Sequence, residues 1–180
     1  MSTSRELLKK LITITERGRK IPASNDIEEA KGWIYDLWVL LDDLKEYTRI
    51  IAFANKIKDV REFSDRIQDA TESLEITLRL CEEGGKKTLR DCRIGRGVVA
   101  AMEDLDAVSR VLTGEGCVRA SLNPVKLANS STCLRDIVSC LDRFIDYFKD
   151  AIKHEKKLIK ALDLIKREQA IAEAEEEYGF

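Results

Sequence analysis

The 180-residue chain is 44% apolar, enough to bury one core, and 36% charged, with the two signs nearly cancelling at a net charge of −2. Disorder as a default state is excluded, and so is a global electrostatic pull toward nucleic acid or anionic lipid. Two prolines and nine glycines among many Leu, Ile, Lys, Glu, Asp and Arg leave backbone breakers scarce, which points to an all-α fold.

Thr3 and Glu6 make a capping box, Leu7, Leu8, Leu11 and Ile12 follow at helical spacing, and Gly18 ends a short first helix over about 4–17. The stretch "RKIPASN" reads as a linker, after which Asn25 and Glu28 cap a second helix. From Ile27 the apolar residues step by three and four through Ala30, Ile34, Leu37, Leu41, Leu44 and Ile51. Trp33, Trp38, Leu40, Tyr47 and Phe53 widen this seam, so the helix needs several neighbours. Trp33 and Trp38 lie on different sides of it, and at least one belongs to the core. A phase shift after Phe53 and a fresh cap at Asp59 and Glu62 place a tight turn in "ANKIKD". A bent continuous helix is the alternative, since neither Gly nor Pro enforces a break there.

The third helix carries Val60, Phe63, Ile67, Ala70, Leu74 and Cys81 in register and ends at Gly84-Gly85. Thr88 can cap a fourth, with core line Val98, Ala101, Leu105, Val108 and Leu112, while Gly95 and Gly97 allow a kink or a late start. The stretch "GEGCVRASLNPVKLANSS" has loop character, with Asn123-Pro124 suited to a short helical turn. Ser131 to Glu176 lacks Gly and Pro altogether and forms one helix with the seam Leu134, Ile137, Leu141, Phe144, Phe148, Ala151, Glu155, Leu158, Leu162, Ile165. Helices two to four come to roughly 36–43 Å at 1.5 Å per residue, and the last is nearly twice as long. The expected architecture is an up-down four-helix bundle domain over 1–152 with a short N-terminal helix. A long C-terminal helix then projects as an extension with an acidic tail over 153–180.

The chemistry-bearing patterns mostly fail. His154, the only histidine, is followed by Glu155 like a zinc-protease motif, but Leu158 stands where the second histidine would be. One histidine cannot supply the two Glu-x-x-His motifs of a di-iron bundle either. "CEEGGKKTLRDCRIGRG" lacks the upstream glycine and the strand of a phosphate loop. It does gather Lys86, Lys87, Arg90, Arg93 and Arg96 against a single Asp91, a local basic patch for phosphates or an acidic partner. Asp42-Asp43 and Glu82-Glu83 read as surface. No catalytic residue, metal site or cofactor is expected.

Five cysteines form no C-x-x-C pair and leave at least one unpaired in a monomer, and the simplest reading is reduced, buried small hydrophobes. Cys81 and Cys92, nearly symmetric about the turn 84–87, are expected as the closest pair, with a disulfide if their Cα atoms come within about 7 Å. Cys117 and Cys133 likewise straddle Pro124. The sparse Gln and Asn resemble a thermophile's usage, where intracellular disulfides persist. With no apolar run of membrane-spanning length and no continuous apolar leader core, a soluble, cytoplasmic protein is expected.

These features point to a non-enzymatic protein for protein interaction or assembly, self-associating or partner-binding through the last helix. Leu158, Leu162, Ile165, Lys157 and Glu173 are the expected contacts. Lys153, Lys156, Lys157 and Lys160 open the extension and Glu173, Glu175, Glu176 and Glu177 close it. Two copies laid antiparallel about Ile165 would match these stretches and bury both apolar lines. A competing arrangement covers the line with Leu7, Leu8, Leu11 and Ile12 of the first helix. The alternative function is nucleic-acid association through the basic turn 86–96 together with Lys9, Lys10, Arg17, Arg19 and Lys20. A weaker one is a membrane-active bundle whose first helix inserts on release.

Overall fold

The computed structural model describes residues 3–50, 55–122 and 128–178, with residues 49, 50, 55–58, 155, 158 and 178 described by their backbone alone. The chain is all-α: α1 (Ser4–Ser24), α2 (Ile27–Ile50), α3 (Asn55–Glu83), α4 (Arg96–Thr113) and α5 (Ser130–Tyr178), with no strand among the described residues. The expected helical turn at Asn123-Pro124 lies outside them, as do Ile51 and Phe53.

The Thr3–Glu6 capping box opens α1, but the helix does not stop at residue 17. It runs through Gly18 and Pro22 to Ser24. Gly18 is a packing residue here: a Cβ would come within 2.6 Å of the Trp33 ring and 3.0 Å of Val138, so α1 can approach α2 and α5 closely only without one. Pro22 lies in the last turn, so the bond that its missing N–H would have donated back to the Gly18 carbonyl is lost only near the helix end. Asn25 is therefore the C-cap of α1, in the left-handed region at φ 55°, rather than the N-cap of α2. The adjoining Asp26 takes the N-terminal role, its carboxylate accepting from the Glu28 N–H at 3.4 Å.

Ion pairs and hydrogen bonds fix the helix directions. On α1 and α2, Lys10 meets Asp43 and Arg17 meets Asp36, so the numbers rise on one helix as they fall on the other. On α2 and α3, Lys31 meets Glu82, Tyr35 meets Glu75, Trp38 meets Thr71 and Lys45 meets Asp65, again antiparallel. Asp59 meets Tyr147 and Phe63 packs on Phe144, which orders α3 against α5 in the same way. α1 packs on α2 and α5, α3 packs on α2 and α5, and α4 lies against α3 and α5. The first helix is thus a full member of the packed ring rather than a short appendage, because Leu7, Leu11, Ile14 and Ile21 carry its apolar face into the core.

Two further boundaries differ from expectation. The helix already runs through Asn55–Asp59, where a turn was expected; with no Gly or Pro there nothing breaks it. Ala54, the first residue of that turn, lies outside the described residues. α4 starts at Arg96, not Thr88, whose hydroxyl donates to Asp91 at 2.6 Å instead. Its buried face is also rotated from the expected line, to Val98, Met102, Leu105, Asp106 and Ser109. The polar pair faces inward because it holds the following loop.

The core itself follows the seams. Leu37, Leu41, Phe63, Ile67, Leu105, Leu141 and Phe144 are all fully buried. Trp33 is buried with its indole N–H donating to the Ile14 carbonyl at 2.8 Å, and half-buried Trp38 donates to the Thr71 hydroxyl at 2.8 Å. α5 is 49 residues, about 74 Å long. Its seam is buried from Leu134 through Ala151, and from Lys153 to Glu177 every described side chain is exposed.

Candidate functional surfaces

The outer part of α5 is one such surface. Leu162 is 41% and Ile165 50% exposed, with Ile159, Leu164 and Ile171 exposed beside them on the same stretch. Lys157 and Glu173 are exposed; Leu158 is helical, its side chain outside the described residues. Among the described residues, neither the four lysines at 153–160 nor the four glutamates at 173–177 form an ion pair. Their charges therefore stay segregated along the rod. His154 is exposed on it, and no group of three or more His, Cys, Asp or Glu placed to hold a metal occurs among the described residues. The competing cover by the first helix is ruled out by position, since Leu7 and Leu11 are fully buried in the main core.

The segment between α3 and α4 is a second surface, irregular in secondary structure yet heavily tied down. A disulfide joins Cys81 to Cys92 with 5.7 Å between their Cα atoms. The Ile27 N–H donates to the Lys87 carbonyl, and the Leu89 N–H to that of Asn25. The Arg90 N–H donates to the Asn25 side chain at 3.0 Å. On the other flank the Ser130 N–H donates to the Cys92 carbonyl and the Ile94 N–H to that of Ala128. Leu89 and Cys92 are fully buried. Lys86, Lys87, Arg90, Arg93 and Arg96 are all exposed and, among the described residues, in no ion pair. The basic residues of α1 are different. Lys10, Arg17 and Arg19 are matched by Asp43, Asp36 and Asp142, which leaves Lys9 and Lys20 of that expected set.

The loop 114–122 shows what sequence reasoning missed. Asp136, buried on α5, accepts from the Arg119 and Ala120 N–H groups at 3.1–3.2 Å and from the Ser121 N–H at 2.6 Å. Asp106 on α4 accepts from the Val118 N–H and from Arg110, both at 2.9 Å. Burial works against its charge, but those hydrogen bonds prevail and hold its carboxyl below the usual range. Gly116 passes so close that a Cβ would sit 2.5 Å from Asp106. A disulfide joins Cys117 to Cys140, not to Cys133, with a Cα separation of 4.8 Å, closer than the Cys81–Cys92 pair. Four of the five cysteines are thus paired rather than reduced. Cys133 remains a buried free thiol, pushed up to about 12 by burial and the nearby Asp136 charge, and so is unreactive as a nucleophile. A hint was present in the sequence: Asp106 and Asp136 each adjoin a seam residue, Leu105 and Ile137.

No family model matches the chain, and neither the curated proteins nor the solved structures include a significant match to it. No described helix is long and apolar enough to cross a membrane.

Proposed function

We propose that the protein is a non-enzymatic assembly factor that pairs with a second copy of itself through residues 153–177, carried on an up-down bundle of α1, α2, α3 and α5. The observation that carries this reading is the exposed apolar line of Leu162 and Ile165 on a helix that continues about 40 Å past its packed part. Antiparallel pairing centred near Ile165 sets the lysine-rich start of one extension against the glutamate-rich end of the other. The same crossing buries both lines in a two-fold contact. The unit over 1–152 serves as the rigid head and 153–180 as the joining arm. The two disulfides fit an oxidising compartment, or a cytoplasm of the kind in which thermophile disulfides persist.

Size exclusion with light scattering tests this directly. The full chain is expected as a dimer, and both Leu162→Asp and deletion of 154–180 as folded monomers. A full-length protein that stays monomeric at high concentration, or a Leu162→Asp variant that stays dimeric, rejects the proposal.

A further inference from the structure

We propose that the segment 84–96 is a binding site for the phosphate backbone of double-stranded nucleic acid, on a part of the molecule separate from the α5 arm. Five exposed cations in no ion pair among the described residues stand within eleven positions, whereas Arg17, Arg19, Arg66, Arg79, Arg110 and Arg143 are each matched by a carboxylate and the unmatched Arg5, Arg61, Arg119 and Arg135 are scattered along the chain. Of the acids near the cations, Asp26 and Glu83 are exposed and in no ion pair among the described residues, and three others are occupied. Asp91 accepts from the Thr88 hydroxyl, and Glu28 and Glu82 both hold Lys31. At physiological salt such a patch acts over about 8 Å, so the overall charge of −2 does not cancel it.

The second argument is rigidity. The disulfide Cys81–Cys92 and the backbone bonds to Asn25, Ile27, Ala128 and Ser130 fix the segment before any ligand arrives. Ordering it on binding therefore costs little. A loop merely serving to connect two helices does not need ties to α2, α3 and α5 at once. Lys86, Arg93 and Gly95 also line a groove of about 690 Å³, with Asp91 as the acid among its described lining residues. Gly95, at the start of α4, offers no side-chain acceptor, and the first turn holds no acid, so the helix end adds to the positive field there.

Three of the five cations are arginines, whose planar forks match phosphate oxygens. The segment contains no aromatic residue on which an unpaired base could stack, which favours duplex phosphates over single strands. A membrane surface is less well matched, because among the described residues Leu80 is the one large exposed hydrophobe lining the groove.

The test uses the full-length protein and a fluorescein-labelled 30-base-pair duplex, read by anisotropy from 50 to 300 mM salt. Binding is expected at low salt, with log K falling against log salt at a slope of about −2.7 to −4.5, the release expected for three to five phosphates. The triple variant Lys86→Gln, Arg90→Gln, Arg93→Gln should bind at least about tenfold more weakly, with the slope reduced by about 2.7. Arg90→Gln alone, a milder change should the triple variant fold poorly, should reduce it by about 0.9. Arg5→Gln with Arg61→Gln, two exposed cations outside both the segment and the arm, should leave binding unchanged. The proposal is overturned if the duplex does not bind at 50 mM salt, if the 86–93 variants bind like the parent, or if the protein is retained only by phosphatidylglycerol vesicles. Oligomeric state is measured separately on the same variants, so a monomer that binds DNA rejects the assembly reading and leaves this one standing.

Discussion

The two halves of α5 share one helix and one spacing of apolar residues but not one environment. Leu134, Ile137, Leu141 and Phe144 are fully buried, whereas Leu162 and Ile165, farther out on the same seam, are about half exposed. The first half has α1, α3 and α4 against it, and the second has none of them. Helical periodicity therefore marks a face that can be buried. Whether it is buried depends on what else reaches it.

The sharpest way to break this comparison is to truncate equivalent leucines. Leu141→Ala is expected to cost about 2–5 kcal/mol in urea melts, through lost burial and a residual cavity. Leu162→Ala should change the stability of the monomer by less than about 0.5 kcal/mol while weakening the dimer. A small loss at Leu141 would mean that the inner half is less tightly packed than its burial implies.

Next come the covalent ties that belong to the packed half alone. Reduction should cost about 3 kcal/mol per disulfide, from the chain entropy returned to loops closed over sequence separations of 11 and 23 residues. The arm should keep its pairing when the heads are reduced. Thermal melts and light scattering with and without reductant check the two statements together.

Close packing around Gly18 gives a smaller effect. Gly18→Ala should destabilise by about 1–3 kcal/mol, because the methyl group drives into Trp33 and Val138. Asp106→Asn should show a stability gap that depends on pH. The folded-state carboxyl lies below its ordinary value, so its contribution is fully present above the unfolded pKa. The gap should close as pH falls through the lowered folded value, and melts of parent and variant between pH 7 and 3 measure it. A gap that widens on acidification would place the sign the other way.

The smallest effect belongs to the charges of the arm. Lys157→Glu should weaken dimer association by less than about thirtyfold, since the two-fold contact holds the pair twice and exposed pairs contribute only about 0–1 kcal/mol each. Its restoration by Glu173→Lys would establish the antiparallel register.

The sequence by itself determined the helical class, the seams of α2, α3 and the inner part of α5, the end of α3 before Gly84-Gly85, and the length of the last helix. These follow from local spacing and from residues that cap or break a helix in any context. It also brought Cys81 near Cys92, because a short turn between them leaves the chain few alternatives. Tertiary structure alone decided the rest. Gly18 reads as a helix end until Trp33 and Val138 are seen to press against it. Asp106 and Asp136 carry no motif of their own, and their role emerges only where a loop returns its N–H groups to them. Cys140 becomes the partner of Cys117 only when α5 is placed against that loop. Pairing of this kind depends on residues far apart in the chain, and periodicity carries no information about which distant face or loop will arrive.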